Sequence, residues 1–164
     1  MTRIYLPATV ATLRRLYEDE AVTPKQAHAV TPGLREWYTE GDEEDFEYVA
    51  FTRAAQDALW LLAEAPTDQP RRAVISADVD GQVSAAGGYV LGDSKVTWDA
   101  PIPLSSVAAV HIDGLDAESE VVAAVKALVA ADAGDEDARF VVDAAEDHEL
   151  EWYDPTELAV LLQL

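Results

Sequence analysis

The chain has 164 residues, 49% of them hydrophobic and 26% charged, which is enough for a sizeable core and predicts one globular domain over residues 1–164. Its 32 Asp and Glu residues against 11 Lys and Arg give a formal net charge of -21, so direct nucleic-acid binding by counter-ion release and attachment to anionic membranes are excluded as expectations. Cysteine is absent, which removes disulfides and thiolate chemistry.

In chain order, Arg3 to Leu6 is a short β-rich run closed by Pro7. Thr9 then caps a helix from Val10 to Glu20 whose apolar positions are Val10, Leu13, Leu16 and Tyr17. Residues 22–30 read as mostly irregular, and Thr31 and Pro32 start a short helix that carries Trp37 and Tyr38. Asp42 and the carboxylates Glu43, Glu44 and Asp45 mark the start of a long helix that ends before Pro66, because acidic side chains suit the exposed N–H groups and positive dipole end there. On this helix Tyr48, Phe51, Ala54, Ala55, Ala58, Leu59, Leu61, Leu62 and Ala65 share one wide arc, with Arg53, Gln56, Asp57 and Glu64 opposite. Phe46, Val49 and Trp60 fall on the polar side. Either the preceding short helix folds over Phe46 and Val49 while Trp60 sits at a rim, or Trp37, Phe46, Val49 and Trp60 form a surface for a protein partner.

Ala73 to Val79 is an apolar, β-branched run expected to be a central strand. Tyr89 to Trp98 reads as a hairpin turning at Gly92 and Asp93, and Val107 to Ile112 as another buried strand. A helix from Ala117 to Ala131 ends at Gly134, a second covers Glu136 to Glu146, and the alternating HELEWYD run suits an edge strand. Asp154, Pro155 and Glu157 start a terminal helix through Leu162. The order predicts an α+β (α/β) fold: a single mixed β-sheet of about five or six strands packed against helices, with an elaborated ferredoxin-like core as the specific topology. The first strand and Ala73–Val79 are expected to be parallel neighbours.

Candidate chemistry is sparse. Ser76, Asp78, Asp80 and Gly81 reproduce the opening of an acidic calcium loop, but the closing glutamate is replaced by Gly87 and the flanking segment reads as strand. Asp78, Asp80, His111 and Asp113 could line one rim of the sheet and hold a divalent cation; otherwise no cofactor is expected. The competing reading is that aspartates end strands and open turns. No histidine pair has zinc-site spacing, Ser105 and Ser106 lack a nucleophile elbow, and Gly87 and Gly88 lack the lysine of a phosphate loop.

The segments RIYLPAT with LRRL, HAVTPGLREWY followed by GDEEDFEYVAFTRAA, and the later PLSSVAAVHID and AEDHELEWYDPTEL resemble a family of small acidic actinobacterial proteins of unknown function. The resemblance spans nearly the whole chain and implies an actinobacterial cytoplasm without implying an activity. The leading functional expectation is a cytoplasmic, non-catalytic protein-interaction or regulatory module. The alternatives are a metal-assisted hydrolase and a nucleic-acid mimic.

Overall fold

Alternation places Ile4, Leu6 and Ala8 on one side of the first strand and Arg3 and Tyr5 on the other, and both sides are covered. The computed structural model describes residues 1–163. The first strand, β1 (Thr2–Ala8), is followed by α1 (Val10–Asp19) and two short strands, β2 (Ala21–Val22) and β3 (Ala27–His28). Next come α2 (Pro32–Trp37), α3 (Glu43–Glu64) and β4 (Ala73–Val79), then β5 (Ser84–Ala85), β6 (Lys95–Thr97), β7 (Ile102–Pro103) and β8 (Val107–Ile112). The chain closes with α4 (Glu118–Asp132), α5 (Glu136–Glu146), β9 (Glu151–Tyr153) and α6 (Leu158–Leu161).

The architecture is mixed α/β. Seven strands form a sheet in the order β5-β6-β3-β1-β4-β8-β9, antiparallel at every step, and β2 and β7 pair separately. β1 and β4 are neighbours as expected, but they run antiparallel, with Thr2 opposite Val79 and Ala8 opposite Ala73. The crossover instead joins β3 to β4, which lie on either side of β1 and run in the same direction. A 22-residue helix is about 33 Å long, so α3 carries the chain back along the sheet before β4 begins. This split β-α-β unit is a component of ferredoxin-like folds, but among the described residues a second one is not formed. β8 and β9 are joined through two helices that run out and back, so they return adjacent and antiparallel.

One face of the sheet packs Ile4, Leu6, Ile75, Val110 and Ile112 against Leu13 and Leu16 of α1 and Leu158 of α6. The other face receives α3. Ala50, Ala54 and Ala58 are fully buried along it, and their small side chains permit a close approach to the strands. The helix begins with Asp42 accepting from the Asp45 backbone while Asp45 accepts from the Asp42 backbone. Its distal half, through Leu59 and Leu62, packs with Val121, Ala124 and Leu128 of α4 and Val142 and Ala145 of α5.

The expected polar face of α3 is not all wet. Arg53 donates to the Gly92 carbonyl, and Asp57 meets the ring of buried His28 at 2.6 Å. The expected Tyr89–Trp98 hairpin does not form. Residues 89–92 instead turn over α2, where the Gly92 amide donates to the Gly33 carbonyl at 2.8 Å. A Cβ at Gly33 would lie 2.2 Å from the Val90 carbonyl oxygen, so glycine is what permits the contact. β6 pairs with β5 and β3, strands of two residues each, too short to carry a periodic signal.

Candidate functional site

The α3-facing side of the sheet carries polar residues where an apolar stripe would be usual. Strand alternation and register align Arg3 with Asp78, Tyr5 with Ser76 and Ala109, and Val74 with His111 and Trp152. The β4–β8 register slips between Ser76 and Ala77, a local irregularity beside the polar group. Above them the first half of α3 contributes Glu47, Tyr48 and Phe51, and the α5–β9 segment contributes Glu146, Glu149 and Leu150. Together they line a cleft of about 650 Å³.

The contacts inside it are specific. Arg3 donates through Nε and Nη2 to the two oxygens of Asp78 at 2.7 and 3.0 Å. Ser76 Oγ and His111 Nε2 share a hydrogen bond of 2.8 Å, and the Tyr5 hydroxyl donates to Glu47 at 3.3 Å. Phe51 presents an edge-on contact to both the His111 ring, at 4.7 Å between centroids, and the Tyr5 ring, at 6.1 Å, and it stacks with Tyr48 at 6.4 Å.

Burial and charge set the protonation of these groups. Burial, with the nearby Arg3 cation adding to it, lowers the His111 pKa to about 4, so the imidazole is neutral at pH 7. The Tyr5 phenol is pushed well above its ordinary value, first by burial and then by the Glu47 charge. Hydrogen bonding to Arg3 holds Asp78 below the usual carboxylate range. Burial raises the Glu146 carboxyl above the usual carboxylate range, against the opposing influence of Arg139, Gln56 and Arg72.

A serine beside a neutral histidine is the beginning of a nucleophilic arrangement, but the remainder is not assembled here. Among the described residues no carboxylate bonds to His111, and Ser76 is 2% exposed in the middle of a strand. A second chain of the same residue types, Ser94, His28 and Asp57, joins β3 to α3. Ser94 meets Nδ1 at 2.7 Å and Asp57 meets Nε2 at 2.6 Å. Ser94 and His28 are buried, so this group holds α3 to the sheet instead of facing a substrate.

The four proposed metal ligands are not brought together. Asp78 pairs with Arg3, and His111 with Ser76. Asp113 is fully buried and accepts from the Arg72 guanidinium at 2.7 and 2.9 Å and from the Arg72 backbone N–H at 2.8 Å. Asp80 is exposed just past the end of β4. Alternation does put Asp78 and His111 on one face, but β4 and β8 are antiparallel, so Asp78 and Asp113 lie at opposite ends of the pair. Among the described residues no group of three or more His, Asp or Glu side chains is arranged to hold a metal ion.

The four proposed partner-binding residues also separate. Phe46 is half-buried beside Tyr38, the residue that follows α2, with their rings 6.2 Å apart. Val49 is half-buried. Trp37 is exposed and rests on Gly92, next to the exposed Tyr89, Val90 and Leu91. Trp60 is partly exposed and lies about 21 Å along α3 from Phe46 by helical rise, lining a separate hollow with Trp98 and Lys95. Tyr5, Tyr48, Glu47, Glu146 and Trp152, which dominate the cleft, were not among the sequence candidates. The alternation of Arg3 and Tyr5 with apolar Ile4 and Leu6 is a local signal for Tyr5, and none of comparable kind marks the other four.

Comparison with protein families adds one finding. The chain matches, over residues 2–162, a family described as a family of unknown function (DUF6912). The protein belongs to that family. No curated protein and no solved structure matches it. The family match spans both the sheet and every residue of the cleft. No helix among the described residues is long and apolar enough to cross a membrane.

Proposed function

We propose that the protein is a non-catalytic binding module that receives its partner in the cleft between α3 and the sheet. The observation that carries this reading is the wall of the cleft: Tyr5, Tyr48, Phe51 and Trp152 line one side-chain surface around a Ser76–His111 pair that lacks the rest of a catalytic set. Aromatic rings supply large contact area at little conformational cost, and Tyr48 and Trp152 are both more than half exposed at its mouth. The cysteine-free, strongly acidic composition fits the cytoplasm of a GC-rich actinobacterium.

The test is a titration of ¹⁵N-labelled protein with short peptides of varied composition, read as amide and indole shift changes. Saturable changes centred on Tyr5, Tyr48, Phe51 and Trp152 are expected, and Ser76→Ala should leave them intact. Saturable changes confined to the Trp37 and Leu91 surface would refute this site. Turnover of ester, amide or phosphoester substrates that disappears in Ser76→Ala would refute the non-catalytic reading.

A further inference from the structure

We propose that the cleft recognises an arginine side chain on an exposed segment of a partner protein, with the guanidinium between aromatic rings and carboxylates. This rests on the binding-module reading above and adds the chemistry of the partner. Three observations carry it.

The first is the balance of charge around the cavity. Glu44, Glu47, Glu146, Asp147 and Glu149 line it. The two arginines on the wall are already occupied: Arg3 is held by both oxygens of Asp78, and Arg72 by both oxygens of Asp113. His148 on the rim is bonded to Glu120. Glu146 is partly buried, and the two arginines whose charge reaches it, Arg139 and Arg72, are themselves paired with Asp143 at 3.7 Å and Asp113 at 2.7 Å, so the site presents carboxylates without a cation of their own. The raised pKa of Glu146, caused first by burial, is the mark of a carboxylate that an incoming cation would stabilise.

The second observation is the nature of the other walls. Tyr48, Phe51 and Trp152 offer ring surfaces, and a cation over such a face is attracted by the ring quadrupole. A guanidinium is planar and weakly hydrated, so it can stack on a ring while donating to carboxylates at its edge. An ammonium cannot do both as well.

The third is the shape. Trp152 is 61% and Tyr48 65% exposed, so the hollow is an open trough and not an enclosed chamber. A small metabolite gains affinity chiefly by being engulfed, whereas a trough suits a side chain presented from a longer segment.

The probe is an acetylated peptide of alternating glycine and arginine with three arginines, titrated at 150 mM salt into ¹⁵N-labelled protein. The comparison arms are the lysine, glutamate and all-leucine counterparts and free agmatine. The arginine peptide is expected to shift the cleft residues saturably and to bind about tenfold more weakly to the Glu47→Gln, Glu146→Gln double variant and to Trp152→Ala, and the lysine peptide is expected to bind the same site less tightly than the arginine peptide. The double variant Glu18→Gln, Asp19→Asn removes the same charge from the exposed end of α1 and is expected to change affinity less than about twofold. Equal weakening in both double variants would show attraction to the overall negative field and overturn the proposal. Agmatine binding as tightly as the peptide would overturn the assignment to a protein segment. Cleft shifts with the glutamate or leucine peptide and none with arginine would overturn the cation while leaving the binding module standing, whereas no cleft shifts with any probe would remove both.

Discussion

Acidification should weaken the fold through His111 before most carboxylates begin to titrate. The pKa of this imidazole falls from 6.5 to about 4 on folding, chiefly through burial. Above pH 6.5 both folded and unfolded states hold it neutral, and its contribution is constant. Between 6.5 and 4 the unfolded chain takes up a proton that the folded chain refuses, so stability is lost as the pH falls. At about 1.4 kcal/mol per pH unit the complete loss is about 3 kcal/mol, of which about 2 kcal/mol has appeared by pH 5. That is a large part of the roughly 5–15 kcal/mol that holds a domain together. Urea unfolding of the wild type and His111→Gln at pH 7 and pH 5 measures it. The glutamine retains a polar partner for Ser76, and the other histidines and the carboxylates are common to both proteins, so their titration cancels in the difference. The wild type should lose about 2 kcal/mol more than the variant between the two pH values. Equal losses, or an imidazole resonance of His111 that titrates near 6.5, would refute the reasoning from burial.

Three further outcomes follow from other contacts. Arg72→Met should destabilise by about 3–5 kcal/mol in chemical denaturation because it strands the buried Asp113 carboxylate, and adding Asp113→Leu should recover a substantial part of that loss. Gly33→Ala should lower stability by about 1–3 kcal/mol and shift the Trp37 indole resonance, since the new methyl group meets the Val90 carbonyl and must displace the 89–92 turn. Trp60→Ala should leave cleft binding of the arginine peptide within about twofold and cost no more than about 2 kcal/mol by thermal unfolding, because Trp60 is partly exposed and faces a different hollow.

Much of the fold was legible because several elements are long enough to display a period. The β4 and β8 runs, the α1, α3, α4 and α5 helices, and the stop at Gly134, where φ is +99°, follow from alternation, helical spacing and cap chemistry. Where the structure departs from these patterns, the physical causes are local. β3 and β5 have two residues each, below any periodic signal, and the Tyr89–Leu91 run was claimed by α2 once Gly33 and Gly92 allowed the backbones to touch. Strand β1 continues through Pro7, opposite Val74 of β4, because among the described residues β3 accompanies β1 only at Tyr5 opposite His28 and no β3 partner at Pro7 needs the missing N–H. Arg53 and Asp57 looked solvent-facing on a helical projection, yet the segment before β6 and the ring of His28 supply their partners.

The candidate site was far less legible. Acidic residues occur in every helix from α1 to α5, in β4 and β9 and in many connecting segments, so no carboxylate stood out along the chain. Asp78 and Asp113 looked like metal ligands by their spacing from Ser76 and His111. What removed them was pairing with arginines 75 and 41 positions away, a relation that no local window contains.

Composition and pattern by themselves therefore determined the acidity, the mixed α/β class, the principal strands and the organising helix, because those properties depend on residues within a few positions of one another. Only the tertiary structure decided strand direction, the commitment of Arg3 and Arg72 to particular aspartates, and the meeting of Tyr5, Phe51, His111, Glu146 and Trp152 around one cleft. The physical reason is that register and helix placement bring distant side chains within contact distance, and both are selected by the packing of the whole sheet.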